Sequence, residues 1–394
     1  MTDHWPEHGF TADIRHLWIL SLCFTILIGQ LPAISGFNDD ADPHKVLSAA
    51  QWQRLDDSVE RALSWTASQQ QADGAFGEIP EAQPAITCLC ILAFLSQGHT
   101  LGEGTFGAHL EQAVQYVLRC QRNDGLFSRM SELGTKNISR HQSKTAVYNH
   151  AISGLCLSEL HGMSSGIPQQ QIATAIKRAL SLSMKLQDRP KRREESRDGW
   201  RYWHDDGDVC ADLSVTSWHL MFLRSAKNAG FTVPSERIDR AMRFVTACYE
   251  ERHHVFLYHP ERTSRRTRAM TGAGILALSH GGMVETEMAQ RAGDWLLAHP
   301  IERYRNGPSY PGWPPGHHFH YDVFYATAAT YHLQGRYWRE FYPKVVDTLI
   351  THQKESGAWH TEIGNAEFFG NVYTTALSIL ALNIPNQLLP ILQR

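Results

Sequence analysis

A short turn recurs along this chain and limits what it can become. QADGAFGE (71–78), RNDGLFS (122–128) and KESGAWH (354–360) each follow a glutamine and share one pattern: Gln-x-x-(Asp/Ser)-Gly, then an aromatic. Asp198-Gly199-Trp200 repeats its second half. Asp-Gly or Ser-Gly ends a helix through a residue that tolerates positive φ. The aromatic that follows can pack back over the helix end, and the glutamine can bond backbone groups left over there. Before each turn lies an amphipathic helical pattern; after it comes a more apolar one rich in small residues.

Helical spacing begins near Val46, after the polar stretch FNDDADPHK, and divides into six helix pairs. The expected pairs are Arg54–Gln70 with Ala85–Gln97, Leu110–Gln121 with Thr145–Leu160, and Ile172–Leu186 with Leu213–Ala229. Then follow Ile238–Glu250 with Arg268–Ser279, Met288–Ala298 with Val323–Gln334, and Lys344–Gln353 with Val372–Ala381. Val255-Phe-Leu-Tyr258 stands where the fourth aromatic turn belongs, and a Pro/Gly/aromatic loop, NGPSYPGWPPGHHFHYD, occupies the fifth. No pair can bury its apolar face alone, so the pairs must stack. Second helices that are apolar nearly all round belong inside a layer of amphipathic ones. The expectation is an all-α fold, an α/α toroid that closes on itself as an α6/α6 barrel.

Composition excludes some classes of function. The net charge of -3 offers no basic field for nucleic acid. The 42% hydrophobic content supports a large core, and 11 Trp suggest rings lining turns or a cavity. Leu17–Ile28 is an uncharged apolar run, shorter than a bilayer span, with Ala33 and Ser35 ahead of a cleavage point before Gly36. Residues 1–36 are therefore expected to be a signal peptide or membrane anchor of an exported protein, and residues 37–394 one toroid domain. Seven cysteines are scattered, with no C-x-x-C pair, and read as buried thiols.

At this point the residues resemble a known superfamily. The Gln-x-x-Asp-Gly-aromatic turns resemble the repeats of terpene cyclases and of protein prenyltransferase β subunits, over about residues 50–390. YNHAISGLCLSELHGM (148–163), DLSVTSWHLMFLRSAKNAGF (212–231) and YWREFYPKVVDTLITHQKESGAWH (337–360) are similar to stretches of bacterial single-barrel prenyltransferase and squalene oxidase repeat proteins. The resemblance implies a toroid with a central apolar cavity that binds or processes an isoprenoid.

The family's chemistry carries over only in part. Squalene-hopene cyclases protonate an alkene with Asp-x-Asp-Asp followed by Thr-Ala. Here the run is Val209-Cys-Ala-Asp212 followed by Leu213-Ser214, so only the last carboxylate stands. Asp212 is the candidate acid, with Asp208 and His204 as neighbours able to tune it. As an aspartate before Leu-Ser-Val-Thr it equally reads as a helix N-cap. Protein prenyltransferases hold zinc with an Asp, a Cys two residues on and a distant His. The matching positions are Asp322, Phe324 and Thr374, so no metal or other cofactor is expected. His318, His320 and Asp322 alternate, and an extended backbone would bring them to one side as an alternative metal set.

Tyr148, His150, Trp203, Trp218, Tyr325 and Tyr373 are candidate cavity-lining residues, aromatic rings suited to cations or apolar chains. Arg189-Pro-Lys-Arg-Arg193 is a solvated loop or a contact to anionic lipid in a peripheral membrane protein. Two other classes compete: a non-catalytic toroid that binds a lipid, peptide or protein, and an α/α-barrel carbohydrate-active enzyme. The latter needs two carboxylates about 5–10 Å apart across a groove.

Overall fold

The computed structural model describes residues 42–129, 140–163, 166–203, 210–260, 266–305 and 318–394, the side chains of 140, 141 and 365 excepted. Residues Asp40–Arg394 form one compact unit. All six expected pairs are present: α1 (Ala49–Ser68) and α2 (Ala85–Ser96), α3 (Gly107–Arg119) and α4 (Arg140–Leu160), α5 (Gln169–Gln187) and α6 (Leu213–Asn228). They continue as α7 (Ser235–Ala247) and α8 (Arg268–His280), α9 (Glu287–Ala298) and α10 (Phe319–Leu333), α11 (Gly335–Thr351) and α12 (Gly370–Asn383). In the fourth turn a two-stranded hairpin, β1 (Tyr249–Glu250) and β2 (Val255–Phe256), replaces the Asp-Gly turn and delivers Phe256 to the same buried place.

The even-numbered helices form the inner ring. α2 packs on α4, α4 on α6, α6 on α8, α8 on α10, α10 on α12, and α12 returns to α2, so the ring closes. Every residue of α2 is buried, as its all-round apolar sequence requires. Inner helices run parallel: Tyr148 in the first half of α4 meets Ser214 and Tyr321, at the starts of α6 and α10, toward one end, while Asn383 bonds Ser96 at the other, 3.0 Å. Small residues let the helices approach closely. A Cβ added to Gly272 of α8 would lie 2.5 Å from the Tyr325 carbonyl of α10.

The turn glutamines hold the outer ring together. Gln70 Nε2 donates to the carbonyl of Gly74 in its own turn and to that of His109 in the next outer helix, at 3.2 and 2.8 Å. Gln121 does the same to Gly125 and Ala175, and Gln187 to Asp198 and Arg237. Gln353 closes the circle on Gly357 and on Ser58 of α1, both at 2.8 Å. The turn glycine is needed for the same junction. A Cβ on Gly74, Gly125 or Gly357, all at positive φ, would strike a carbonyl of that next helix, at 2.4 Å for Gly357 against Arg61. The turn aromatics Phe76, Phe127, Trp200 and Trp359 are fully buried. Their amides donate to Thr87, His150, Thr216 and Thr375 of the paired inner helices.

The six cysteines among the described residues are free and buried. No described helix is long and apolar enough to cross a membrane. Beyond α12 the chain crosses the C-terminal end of the ring. There Asn386 reaches Ser96 and the Ile391 amide donates to Glu159 of α4, 3.2 Å.

Two outcomes are expected from these contacts. Gly357→Ala, strained and clashing, should cost about 3 kcal/mol. Gly104→Ala, also at positive φ but with open space around it, should cost about 1 kcal/mol. Urea unfolding compares the two, and equal costs would deny the closing contact its role. The second outcome concerns Glu159. Burial pushes its carboxyl up to about 7, against hydrogen bonds from Ser225 and Ile391 that pull it down. It therefore binds its proton more tightly folded than unfolded. That contribution is fully present below the ordinary carboxylate range and is lost as pH rises through 7. Glu159→Gln should thus flatten the fall in stability between pH 5 and 8, measured by urea unfolding at several pH values; an unchanged slope would contradict it.

Candidate functional site

Parallel inner helices bring their N-termini to one mouth of the ring, and their unpaired amides concentrate positive potential there. The described carboxylates of the mouth answer that demand. Asp212, fully buried, caps its own helix: Oδ1 accepts from the Val215 amide at 2.8 Å. Asp322 of α10 accepts from the Ala269 amide at the start of α8, 2.7 Å. Glu362 accepts from the amides of Phe319 and His320 at the start of α10, 2.9 and 2.8 Å. Each carboxylate also has a basic neighbour: Arg201 Nη1 lies 2.7 Å from Asp212 Oδ2, Arg268 Nε 3.6 Å from Asp322, and His320 Nδ1 3.1 Å from Glu362. Burial opposes the charge on Arg201, yet the adjacent Asp212 raises its pKa above the usual value. Burial pushes Asp322 up to about 6 against the pull of Arg268, while His320 outweighs burial and holds Glu362 below the ordinary range.

Asp212 is therefore where an acid would be placed, but both its oxygens accept from an amide and a guanidinium. Neither donor gives up its proton to a carboxylate. The expected N-cap is present, and the described basic group beside it is Arg201. His204 and Asp208 lie outside the described residues.

Around this pair stands a wall of phenols. Arg201 lies over the Tyr202 ring at 4.2 Å and donates to the Tyr258 hydroxyl, which bonds that of Tyr202. Tyr148 meets Ser214 at 2.5 Å; Ser214 meets Tyr321 at 3.1 Å, and Trp218 Nε1 donates to Tyr321 at 2.9 Å. Trp218 stacks on Phe324, with Tyr325 edge-on to both. Tyr148, Tyr202, Tyr258, Tyr321 and Tyr373 each keep part of their surface exposed, although burial pushes the phenols upward, that of Tyr321 to about 12. These side chains are desolvated yet partly accessible, and they form a continuous aromatic cluster.

The structure sorts the sequence candidates. Tyr148 and Tyr373 join this wall, and Trp218 and Tyr325 are buried just behind it. Trp203 lies at the rim, under the Arg189 guanidinium at 4.7 Å. His150, expected at the cavity, is fully buried and faces outward. Its Nε2 reaches the Ala179 carbonyl and Ser183 of α5, and burial lowers its pKa to about 4. It replaces the threonine that caps the turn aromatic in other repeats. Arg201, Tyr202, Tyr258, Tyr321 and Glu362 escaped the sequence reading. Position within RYW (201–203) and HFHYD (318–322) was the only available signal for three of them.

Neither metal set forms. α10 begins at Phe319, so the backbone at His318, His320 and Asp322 is not extended, and His320 and Asp322 go to Glu362 and α8. At the positions matching the prenyltransferase zinc site, Phe324 packs on Trp218 and Thr374 bonds its own helix through the Asn371 carbonyl. These residues do not fit zinc. Among the described residues, no group of three His, Cys, Asp or Glu side chains is arranged to hold a metal.

No protein-family model matches the chain, and no curated protein does. Solved structures do. Type II terpene cyclase MstE from Scytonema, in a variant bound to its product merosterolic acid A, superposes with a TM-score of 0.53 at 13% identity, covering 86% of this chain and 99% of the cyclase. A variant of the same cyclase with geranylgeranyl dihydroxybenzoate as substrate gives 0.53 at 11% identity, covering 88% and 100%. A family 76 glycoside hydrolase (mannosidase) from Bacteroides thetaiotaomicron gives 0.54 at 10%, covering 84% and 98%.

Because Asp212 is enclosed and bonded to Arg201, replacing it should cost more than a cap exchange. Asp212→Asn keeps the cap but leaves Arg201 unpaired, and is expected to destabilise by about 3 kcal/mol, against under about 1 kcal/mol for a cap alone. Adding Arg201→Met should recover part of that loss in a double-mutant cycle. Strict additivity in urea unfolding would show that the pair is not coupled. The chain has the α/α-toroid fold of the type II terpene cyclases.

Proposed function

We propose that the protein binds an isoprenoid or a similar long apolar ligand against the phenol wall at the N-terminal mouth of its ring. In this reading Asp212 serves as a fixed charge and not as a proton donor. The observation that carries the proposal is the set of five partly accessible tyrosines from three inner helices and two loops, backed by Trp218. Their π faces and apolar edges suit an unsaturated hydrocarbon chain; the hydroxyls of Tyr202 and Tyr258 bond each other, and those of Tyr148 and Tyr321 are engaged by Ser214 and Trp218. Alkene protonation needs a neutral, desolvated carboxylic acid. The described mouth carboxylates Asp212, Asp322 and Glu362 are instead committed to helix amides and basic partners. The same commitments weigh against glycosidase chemistry, which needs two free carboxyls facing a groove. MstE, whose length is covered almost entirely by one such ring, holds a geranylgeranyl-bearing substrate and its cyclised product. A single ring is thus large enough for an isoprenoid. The apolar run 17–28 supports export as part of the same proposal.

Titrating the protein with geranylgeraniol while following tryptophan fluorescence tests this. Saturable quenching is expected, weakened at least about tenfold by Trp218→Ala combined with Tyr321→Ala, with circular dichroism unchanged. Absence of saturable binding would overturn the site. Conversion of the alcohol to a cyclic product, abolished by Asp212→Asn, would overturn the fixed-charge role.

A further inference from the structure

Two hydrogen-bond chains run through the phenols of the mouth, and each begins at a group that can only donate. The first starts at Arg201, whose Nη1 donates to the Tyr258 hydroxyl at 3.2 Å; that hydroxyl is bonded in turn to the hydroxyl of Tyr202. The second starts at the Trp218 indole, whose Nε1 donates to the Tyr321 hydroxyl at 2.9 Å. Tyr321 meets Ser214 at 3.1 Å, and Ser214 meets Tyr148 at 2.5 Å.

A donor-only head leaves each chain with one hydrogen more than it has bonds, so one hydroxyl hydrogen in each has no acceptor. The heads also favour one polarity. A hydroxyl that accepts from a cation or an indole becomes the stronger donor, and successive bonds pointing the same way strengthen one another. Tyr258 therefore gives its hydrogen to Tyr202, Tyr321 gives to Ser214, and Ser214 gives to Tyr148. The two surplus hydrogens come to rest on Tyr202 and Tyr148. These two rings are neighbours, with centroids 6.3 Å apart, and both are partly exposed. Among the described residues, neither hydroxyl bonds the other or any further acceptor. Burial foremost, with Asp212 adding to it, holds both phenols above their ordinary pKa, so each keeps its hydrogen at working pH.

We infer that Tyr148 and Tyr202 form a two-donor clamp for one neutral oxygen of the ligand, and that the ligand is an isoprenoid carrying a carbonyl group. The inference rests on the isoprenoid reading of the phenol wall and adds the polar group by which the ligand is oriented. A carbonyl oxygen has two lone pairs and no hydrogen, which suits two O–H donors side by side. Two O–H···O bonds of about 2.8 Å let one oxygen bridge hydroxyls up to roughly 5.5 Å apart, the scale set by adjacent rings. An alcohol would add a hydrogen to a cluster that already has hydrogens in excess. A carboxylate would find Arg201 taken by Asp212, 2.7 Å away. Lys144, with Nζ over the Tyr202 ring at 5.6 Å, makes an acid the competitor to test.

Four ligands with the same chain separate these cases on the full-length protein, followed by tryptophan fluorescence: geranylgeranylacetone (a methyl ketone), its hydrocarbon analogue with CH2 in place of the carbonyl, geranylgeraniol and geranylgeranoic acid. The ketone is expected to bind most tightly. Tyr148→Phe and Tyr202→Phe keep the rings, so each should weaken the ketone about fivefold and leave the hydrocarbon within about twofold. Retained hydrocarbon binding also shows that the variants fold. Infrared difference spectra give a second readout. The C=O stretch of the bound ketone should lie below its value in an alkane solvent, and should return toward that value in the double Phe variant. A ketone that binds no better than the hydrocarbon, with an unshifted stretch, would overturn the clamp and leave the hydrocarbon site standing. Acid or alcohol binding as tightly as the ketone would overturn the carbonyl assignment. Failure of all four ligands to bind would overturn the isoprenoid reading and the clamp with it.

Discussion

The junction between one turn and the next outer helix carries this architecture. A glutamine amide has two N–H groups, and here they reach two carbonyls: one in its own turn, one in the following outer helix. The glycine beside it removes the side chain that would hold those two backbones apart. A helix end thereby becomes a docking point, and repetition of the docking fixes the rotation from one pair to the next. Closure follows when the sixth docking point meets the first helix, as Gln353 and Gly357 meet Ser58 and Arg61. An array that missed this meeting would leave the apolar faces of α2 and α12 in water.

The ring imposes its own electrostatics on the mouth. Parallel inner helices leave amide groups at one end, and buried amides need acceptors. Asp212, Asp322 and Glu362 supply them, and Asn149 supplies the Ala85 amide of α2 in the same way, 3.2 Å. Once a carboxylate is buried for this purpose it needs a counter-charge or donor, which Arg201, Arg268 and His320 provide. An aspartate at the place of Asp212 is thus required by the fold whether or not chemistry follows. A lone surviving carboxylate of an acid motif is, on this scaffold, weak evidence of catalysis.

This explains which parts were legible in the sequence. Turn glycines, turn glutamines and the alternation of amphipathic with apolar helices are local signals, and they located all twelve helices and the closed ring. The mouth is assembled from residues far apart in the chain: Asp322 caps a helix that begins at Arg268, and Glu362 one that begins at Phe319. No spacing rule announces such pairs. His150 was misplaced for a related reason. Its neighbours in sequence suggested an inward face, but the inner-helix position beneath a turn aromatic faces outward, and in this repeat a histidine takes the place of threonine. The His318–His320–Asp322 alternation failed because α10 begins at Phe319, one residue into the set, turning an extended pattern into a helical one.

The two ends of the ring obey opposite constraints. At the N-terminal mouth, helix amides draw in carboxylates, each beside a basic side chain, and the remaining surface is left to tyrosines, most of whose hydroxyls bond one another, Ser214 or Trp218. That leaves a wall whose accessible area is aromatic, suited to a hydrocarbon and indifferent to charge. At the C-terminal end, helix carbonyls should draw in donors, and arginines with histidines stand there. The tail beyond α12 covers those donors, and the Nε2 atoms of His280 and His332 stay buried without a hydrogen-bond partner.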